Sequence, residues 1–442
     1  MATKIAPLSG FPEWLPPQRM IEQQIIAQVQ KTFELYGFSP LETRVVEPLD
    51  QLLRKGETSK EVYVLSRLQA DPDDSSDAAL GLHFDLTVPF ARFVLENAGK
   101  LQFPFRRYQI QKAWRGERPQ QGRYREFIQA DIDIVGRDTL AFDSDIEIPL
   151  AVGDALRSLP IPDVTILANN RKLMEGFFRG IGLAEPDAAM RAVDKLDKIG
   201  PAGVGALLTT TAGASDAQAK ACLALAEISA PDASFADGVR ALGVSDPLLD
   251  QGLDELVQVV EAGRAMAPGL VRADLKIARG LDYYTGTVYE TAMKGFESSG
   301  SICSGGRYDN LASAGAEKYP GVGISIGISR MLGLLFGANA LTISRDVPTC
   351  VLVALTDAES RPASMRVAAS LRARGIATEI APEPAKFGKQ IRYADRRRIP
   401  YVWFPSADGD SVKDIRSGDQ IPADASTWSP PAEDRYPTVT AS

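Results

Sequence analysis

Histidine is almost absent from this sequence: among 442 residues, His83 is the only one. A catalytic triad that uses histidine would depend on that residue, and a zinc site built from several histidines is excluded. The three cysteines, Cys222, Cys303 and Cys350, are far apart and form no C-x-x-C pair, which argues against a disulfide framework. Any chemistry must therefore use carboxylates, arginines, tyrosines and backbone groups, or a loosely held Mg²⁺.

Long apolar runs and phosphate-binding glycine loops are also missing. No segment approaches the length of a membrane span, and the first residues lack the charged-then-apolar pattern of a secretory signal, so we expect a cytoplasmic protein. There is no G-x-x-x-x-G-K-[ST] sequence. GVGISIG at 321–327 resembles a dinucleotide fingerprint, but Ile326 occupies its third glycine position. If a nucleotide binds, arginines and a sheet surface must hold it.

The overall charge is acidic. The formal net charge is −8, with 45% hydrophobic and 24% charged residues, which is typical of a globular protein. This balance argues against a protein that coats nucleic acid over its whole surface, but it permits a local basic patch. Such a patch is present between residues 386 and 416, where lysines and arginines cluster. A charge run of this kind is usually a solvated face.

The length predicts two or three domains. We expect residues 1–183 and 268–342 to form one α+β core. Residues 184–267 are rich in Ala, Leu and Asp and predict a helical domain inserted into that core. From 346 to 426 short apolar strands alternate with helical segments, which indicates a separate α/β domain. We expect the tail, 427–442, to be disordered.

Two extended segments, 103–115 and 123–134, are joined by the short sequence GERPQQG and predict an antiparallel hairpin with a basic tip. Side chains alternate between the faces of a strand, so one face of the second segment is mostly apolar. The other face has arginines at one end, Phe127 in the middle, and Gln129, Asp131 and Asp133 at the far end. An ordinary solvated face with a core phenylalanine is one interpretation. The other is a binding surface that holds phosphates, then a base, then a small cationic ligand.

Several other segments favour the binding surface. RGLDYYTG, SGGRYDN and GVGISIGISR place arginines and tyrosines beside glycines, which permit close approach of the backbone to a ligand. Together with FDLTVPFARF, FRRYQIQKAWRGERPQQGRYREFIQADIDIVG and the C-terminal VKDIRSGDQ, they resemble histidyl-tRNA synthetase, a class II aminoacyl-tRNA synthetase. The resemblance implies an antiparallel sheet flanked by helices, with a helical insertion and a C-terminal α/β anticodon-binding domain. It also implies a homodimer.

The resemblance further implies roles for individual residues. It places Arg115, Glu117, Arg123, Phe127 and Arg330 at ATP. It implies that Mg²⁺ is bound mainly through the nucleotide, with no ligand from histidine or cysteine. At L-histidine it places Asp85, Thr87, Gln129, Asp133, Arg279, Tyr283, Tyr284 and Tyr308. Arg279 and Arg115 would be the catalytic residues. At tRNA it places Arg118, Gln120, Lys389, Arg396, Arg397 and Arg398.

The expected reaction joins histidine to ATP with loss of pyrophosphate and then transfers histidine to the 3′ end of tRNA(His). The attacking carboxylate is already ionised, so positioning and charge neutralisation are sufficient and no histidine base is needed. Two alternatives remain: a non-catalytic paralogue that senses histidine for a phosphoribosyltransferase, and an RNA-binding module without enzyme activity. Three positions depart from the family pattern: His83, Arg44 and Ser329, where arginine, proline and glutamate are usual.

Overall fold

The chain folds into one large sheet with its helices, followed by a smaller α/β unit. The computed structural model describes residues 6–53, 61–68, 79–278, 283–314 and 317–442. Its helices are α1 (Pro16–Leu35), α2 (Leu49–Leu52), α3 (Thr87–Asn97), α4 (Asp143–Arg157), α5 (Arg171–Gly180), α6 (Pro186–Val193), α7 (Leu196–Ala212), α8 (Asp216–Ala226), α9 (Ser234–Ala241), α10 (Pro247–Met266), α11 (Ile328–Gly337), α12 (Arg361–Ala373), α13 (Phe387–Arg396) and α14 (Ala432–Arg435).

The strands follow the same chain order. They are β1 (Ser39–Pro40), β2 (Val46–Pro48), β3 (Val64–Leu65), β4 (Leu80–Leu82), β5 (Phe105–Trp114), β6 (Glu126–Val135), β7 (Val164–Asn170), β8 (Ser229–Ala230), β9 (Val271–Asp274), β10 (Thr287–Met293), β11 (Cys303–Ala314), β12 (Glu317–Gly327), β13 (Leu341–Ile343), β14 (Val351–Val353), β15 (Thr378–Ile380), β16 (Tyr401–Phe404), β17 (Ser411–Asp414), β18 (Gln420–Pro422) and β19 (Val439–Ala441). In the part of the chain that the model describes, no helix is long and apolar enough to cross a membrane.

The large sheet has nine strands in the order β1-β5-β6-β12-β11-β10-β7-β9-β8. Its six central strands, from β5 to β7 in that order, pair antiparallel throughout. Helices α3, α4, α10 and α11 pack on this sheet. The prediction of an antiparallel sheet flanked by helices is therefore confirmed.

The predicted hairpin forms between β5 and β6, but its second strand begins later than the sequence pattern indicated. The strand starts at Glu126, not at 123, because the chain turns at Gly122 (φ 69°) and pairs Gln120 with Arg123. The backbone N–H of Arg125 donates to the Gly10 carbonyl at 2.7 Å instead of continuing the sheet ladder. The arginines at this end therefore belong to a loop, and only the residues from 126 onward alternate as a strand.

The core is built from apolar residues at helix or strand spacing. On α1 the buried positions include Ile21, Ile25, Val29 and Phe33, which recur every four residues and so share one side of the helix. Full burial of one such side chain contributes about 1.5–3 kcal/mol. On the central strands, buried apolar residues alternate along the chain, as Ala130, Ile132 and Ile134 do on β6.

Six helices, α5 to α10, lie between β7 and β9, and five of them, α6 to α10, occupy the alanine- and leucine-rich segment, as its composition predicts. Their ends have regular caps: Ser215 and Gln218 form a capping box on α8, and the Asp246 side chain accepts from the first backbone N–H groups of α10. By its contacts this segment belongs to the same compact unit as the large sheet, residues 1–12 and 25–337. A separate insertion domain with limits at 184 and 267 remains a prediction.

A second compact unit comprises residues 13–24 and 338–442. Its five-stranded sheet has the order β15-β14-β16-β17-β18, in which the first three strands are parallel and connected through α12 and α13. Trp403 lies fully buried at the centre of the apolar cluster under this sheet. The alternation of strand and helix in the sequence led to the expectation of this α/β arrangement.

The tail is ordered, so the prediction of disorder for residues 427–442 is wrong. Residues 439–441 form β19, which pairs antiparallel with β13. Just before it, the backbone carbonyls of Asp434 and Arg435 accept hydrogen bonds at 2.7 and 3.0 Å from Arg345, whose side chain is buried. The polar composition of the tail did not predict these contacts. The tail contributes backbone groups to them, and Arg345 is far from the tail in the sequence.

Candidate functional site

Two cavities open side by side on the large sheet and share four lining residues. The outer cavity is lined by Arg115, Glu117, Gly122, Arg123, Tyr124, Phe127, Gln129, Ser301, Ile302, Cys303, Ser304, Ser325, Gly327 and Arg330. The inner cavity is lined by Asp85, Thr87, Arg115, Gln129, Asp131, Asp133, Tyr283, Tyr284, Ser304, Tyr308, Gly323, Ile324 and Ser325. A ligand in one cavity would therefore touch the same arginine, amide and hydroxyl groups as a ligand in the other.

The outer cavity is cationic and contains a flat ring. The guanidinium of Arg115 lies 5.2 Å from the centre of the Phe127 ring, and its Nε donates to the Phe84 carbonyl at 3.0 Å. Arg123 lies 3.4 Å from the Glu117 carboxylate. At the opposite end, Arg330 Nε donates to the Ser301 carbonyl at 2.7 Å. Always-charged guanidinium groups at both ends of an aromatic surface are suited to a nucleotide whose base stacks and whose phosphates need counter-charges.

The inner cavity is acidic. Asp85 precedes α3 and accepts a hydrogen bond at 3.0 Å from the backbone N–H of Val88 at the start of that helix. Asp131 and Asp133 project from β6, where residues two apart share a face. The rings of Tyr283 and Tyr284 stand 4.2 Å apart and line the same cavity. Three carboxyl groups and three tyrosines, of which Tyr308 is the third, make this cavity fit a small ligand with N–H donors.

Asp133 is held by groups from β5, which is next to β6 in the sheet, and from β11, which lies beyond β12. The Tyr308 hydroxyl on β11 donates to its Oδ1 at 2.7 Å, and Arg107 on β5 lies 2.6 Å from its Oδ2. All three side chains are buried, and the ion pair has almost no exposed surface. Burial and the Asp133 carboxylate raise the pKa of Tyr308 well above its usual value, so the hydroxyl remains a donor. Gly323 on β12 faces Asp133, where a Cβ atom would lie 2.1 Å from Oδ1.

Asp131 has a different environment from Asp133. Burial raises the pKa of its carboxyl to about 7, an effect that the Asp133 charge increases and the Arg107 charge opposes. Its neighbour Gln129 donates from Nε2 to the Ser325 hydroxyl at 2.6 Å. Asp131 is therefore a carboxyl that changes protonation near neutral pH inside a ligand-sized cavity.

The structure brings together almost every residue for which the sequence predicted a small-molecule role. All five residues expected at ATP line the outer cavity, and seven of the eight expected at histidine line the inner one. The eighth, Arg279, lies outside the described residues. Sequence reasoning placed Asp131 on the polar face of its strand but gave it no role, and it missed Arg107. An alternating polar face on 103–115, with Arg107, Gln109 and Gln111 opposite the acidic face of the partner strand, was the signal for them.

The residues predicted to contact tRNA are more dispersed. Arg118 and Gln120 belong to the loop between β5 and β6 and line neither cavity. In the second unit, Lys389 lies 2.6 Å from Glu383, Arg397 lies 2.5 Å from Glu379, and Arg398 pairs with Asp346. Arg396 is exposed on α13.

Two of the departing positions have clear structural roles. His83 is fully buried, and its Nε2–H donates to the Lys112 carbonyl at 2.6 Å. It lines neither cavity and packs in the interior of the protein. Ser329 accepts a hydrogen bond at 2.8 Å from the backbone N–H of Ile128, so it links the start of α11 to β6. The serine thus still supports the strand that carries the site.

Metal ligands are sparse in the outer cavity. Among the residues that the model describes, no group of three or more His, Cys, Asp or Glu side chains is placed to hold a metal ion. The outer cavity offers the Glu117 carboxylate and serine oxygens. Mg²⁺ usually keeps several waters and takes one or two carboxylates together with substrate phosphates, and this donor set fits such an ion.

Comparison with known proteins agrees with the fold and identifies the family. Residues 10–331 match the family model described as histidyl-tRNA synthetase, and residues 349–404 match that of an anticodon binding domain. The chain is 57% identical to a histidine–tRNA ligase of Cutibacterium acnes over 99% of both chains. It is 55% identical to one of Micrococcus luteus over 98% of both. The crystal structure of histidyl-tRNA synthetase from a Nostoc species superposes with a TM-score of 0.85 at 34% identity, covering 96% of this chain and 97% of that one. The chain belongs to the histidyl-tRNA synthetase family.

Proposed function

We propose that this chain is a histidine–tRNA ligase that activates L-histidine with ATP and then transfers it to tRNA(His). The observation that carries the proposal is the pair of joined cavities, one cationic with an aromatic ring and one acidic, which meet at Arg115 and Gln129. That junction is where the α-phosphate of a nucleotide and the carboxylate of an amino acid would have to meet. The family membership of the chain supports the same conclusion.

In the outer cavity, Phe127 stacks on the adenine ring and Arg115 binds the α-phosphate. Arg330 binds the γ-phosphate end, and Glu117 and Arg123 lie along the nucleotide between them. Mg²⁺ accompanies ATP and is held mainly by the phosphates, where it neutralises their charge. Because the guanidinium groups are fixed by backbone carbonyls before the ligand arrives, they need little reorganisation on binding.

In the inner cavity, Asp85, Thr87 and Gln129 receive the ammonium group of histidine. Asp133 and the tyrosines Tyr283, Tyr284 and Tyr308 enclose the imidazole end. A pocket built from buried donors and acceptors rejects phenylalanine or leucine because those side chains would leave its polar groups unpaired. The acidic lining of this cavity supports the choice of a substrate with N–H donors.

The first step is an in-line displacement. A carboxylate oxygen of histidine forms a bond to the α-phosphorus, and the bond from that phosphorus to the pyrophosphate oxygen breaks, which gives histidyl-adenylate and pyrophosphate. Arg115 and Arg279 neutralise the charge that develops at the α-phosphate. In the second step a hydroxyl of the terminal ribose of tRNA attacks the histidyl carbonyl carbon, and AMP leaves.

For tRNA, Arg118 and Gln120 contact the acceptor end, and Lys389, Arg396, Arg397 and Arg398 belong to the anticodon-binding surface. Electrostatic binding of this kind weakens as salt rises because counterions are released from the phosphates. We also propose a cytoplasmic homodimer. The segment around Arg44 is expected at the interface, and sedimentation of the purified chain would distinguish a dimer from a monomer.

A non-catalytic histidine sensor is the main alternative. Such paralogues generally lack the anticodon domain and lose nucleotide-binding residues. Against this alternative, the chain has a segment that matches an anticodon binding domain, and both Arg115 and Arg330 line the outer cavity.

Histidine-dependent exchange between ATP and pyrophosphate tests the function. We expect exchange with wild type, loss of exchange with Arg279→Ala, and unchanged histidine binding by that variant in calorimetry. Arg264→Ala removes an exposed arginine paired only with its helix neighbour Glu261 and is the matched control, with exchange as in wild type. No exchange by the wild-type protein with Mg²⁺ and ATP would favour the histidine sensor. Full exchange by Arg279→Ala would remove that residue from its role.

A further inference from the structure

One carboxyl group that lines the inner cavity, that of Asp131, has no role from the sequence patterns or from the family resemblance. Asp131 lies on β6 between Gln129 and Asp133 and shares their face. The strand register places it opposite Gln109 on β5 and Ser325 on β12. It is therefore at the centre of the sheet, with a neighbouring strand on each side, and its side chain is 3% exposed.

The hydrogen bonds around Asp131 end in two open acceptors. Gln129 donates to the Ser325 hydroxyl, and that hydroxyl hydrogen-bonds to Asp131, which fixes both side chains. In the described part of the chain, Oδ1 of Asp131 and Oε1 of Gln129 have no hydrogen-bond partner. Gln129 is 9% exposed, so both open acceptors are buried, and both residues line the inner cavity. Buried acceptors without partners are rare in native proteins, and a cluster of them facing a cavity indicates a ligand with N–H donors.

Asp133 is less available than Asp131. Each of its oxygens already has a partner, Tyr308 on one and Arg107 on the other, and the Arg107 guanidinium balances its charge. The proposed function assigns the ammonium group of the substrate to Asp85, Thr87 and Gln129. Asp131 then remains as the carboxyl with a buried oxygen that accepts no hydrogen bond from the described residues.

We propose that Asp131 is a further specificity-determining residue, whose Oδ1 accepts a hydrogen bond from an imidazole N–H of the bound histidine. This inference rests on the proposed function. Asp133, which Arg107 and Tyr308 hold in place, then positions the ring. Asp131 distinguishes a ring that has an N–H from one that lacks it. An apolar amino acid of similar size would leave the Asp131 carboxyl buried and unpaired.

Asp131→Asn tests the proposal, with Asp138→Asn as its control. We expect kcat/KM for histidine in pyrophosphate exchange to fall about ten- to hundredfold, the loss expected for one buried hydrogen bond to a charged group, while the KM for ATP changes less than about twofold. Asp138 is exposed just beyond the end of the same strand and lines neither cavity, so its variant should match wild type. If Asp131→Asn matches wild type as well, the proposal is wrong.

Imidazolepropionate, which keeps the ring and the carboxylate but lacks the ammonium group, separates the two ends of the substrate. If Asp131 binds the ring, Asp131→Asn weakens inhibition by imidazolepropionate by the same factor as it weakens histidine use. If inhibition is unchanged while histidine use falls, Asp131 binds the ammonium group and the proposal is overturned.

Should Asp131→Asn fail to fold, Ser325→Ala gives the second test. It removes the hydroxyl that fixes the Gln129 and Asp131 side chains without removing a charge, and we expect it to raise the KM for histidine more than the KM for ATP. Equal effects on both substrates would overturn the proposal. The proposed function fails separately, and only if wild type shows no exchange.

Discussion

The single imidazole of the chain is buried beside Trp114, with ring centres 5.6 Å apart, and not in either cavity. Burial is the main cause that lowers the pKa of His83, and the carbonyl of Lys112 and the nearby carboxylates only partly oppose it. A buried, neutral histidine does not contribute protons to the reaction. It contributes to stability in a way that depends on pH.

The sign of that contribution follows from proton linkage. Because the folded state holds the His83 pKa below its unfolded value of about 6.5, the unfolded state binds more protons in that range. The stabilisation by neutral His83 is therefore complete above about pH 6.5 and is lost as the pH falls through the lowered folded pKa.

His83→Gln, whose amide N–H can still donate to the Lys112 carbonyl, removes this dependence. We expect the difference in unfolding free energy between wild type and variant to grow from about pH 5 to pH 7 and to be constant above that range. Urea unfolding at a series of pH values measures it, and the imidazole proton signals, which come from one residue, report the pKa directly. A difference that is the same at pH 5 and pH 8 would show that His83 is not buried neutral.

At the scale of the element, the site depends on how closely β12 approaches β6. Gly323 stands directly opposite Asp133 in the strand register. A Cβ atom at this position would lie 2.1 Å from Asp133 Oδ1 and 2.6 Å from the Ile132 carbonyl, and the second contact is with backbone that cannot rotate away. The glycine therefore makes room for the carboxylate that Arg107 and Tyr308 hold.

Gly323→Ala should displace Asp133 and push the two strands apart. We expect a loss of about 1–3 kcal/mol of stability, as in other overpacked cores, and a rise of about tenfold or more in the KM for histidine. Gly205→Ala, on α7 with nothing within 4 Å of the added atom, is the control, and it should leave activity unchanged. Normal kinetics for Gly323→Ala would mean that the strands can separate without cost to the site.

The C-terminal tail provides hydrogen-bond acceptors for a buried arginine, Arg345. Arg345 is 3% exposed, and two of its hydrogen bonds go to the carbonyls of Asp434 and Arg435. Arg416 adds a further link to the Asp434 carboxylate at 2.7 Å.

Truncation after residue 430 should therefore destabilise the second unit by about 3 kcal/mol, because a buried charge loses half of its partners. Truncation after residue 438 removes only the short strand β19 and should cost much less. Calorimetry of the full chain carrying each truncation measures both effects. Equal melting temperatures for the two would show that the tail binds without supporting Arg345.

At the scale of the whole molecule, a chain with a net charge of −8 has to bind a polyanion. The basic residues of the second unit divide into two groups. Arg397 and Arg398 are paired with Glu379 and Asp346, whereas Arg396 points outward from the end of α13. A guanidinium that already has a carboxylate partner has less charge to offer to a phosphate.

Arg396→Ala should weaken tRNA charging and lower the slope of log affinity against log salt by about one, with pyrophosphate exchange unchanged. Arg397→Ala should lower the salt slope by less, because its guanidinium is already paired with Glu379, and should also reduce the stability of the second unit. Filter binding at several salt concentrations, run beside exchange, gives both quantities. Equal salt slopes for the two variants would mean that the ion pair opens on binding, and loss of exchange in either would contradict the assignment of this unit to tRNA.

Patterns within the sequence alone determined much of this protein. The single histidine excluded imidazole chemistry, and the alternating faces of 103–115 and 123–134 predicted the hairpin, because side-chain alternation is a local property of any strand. The α/β rhythm after residue 345 predicted the fold of the second unit for the same reason. The family resemblance, carried over position by position, predicted twelve of the side chains that line the two cavities, but it did not predict Asp131.

Only the tertiary structure decided how those side chains are paired. The partners of Asp133 come from β5 and β11, and the register that brings Arg107 and Tyr308 to it is set by packing across the whole sheet. Asp131 shares the pattern of Asp133 in the sequence, yet no hydrogen-bond donor among the described residues reaches its Oδ1. Charge, burial and open hydrogen-bonding capacity at a site depend on neighbours far apart in the chain, and no local pattern contains that information.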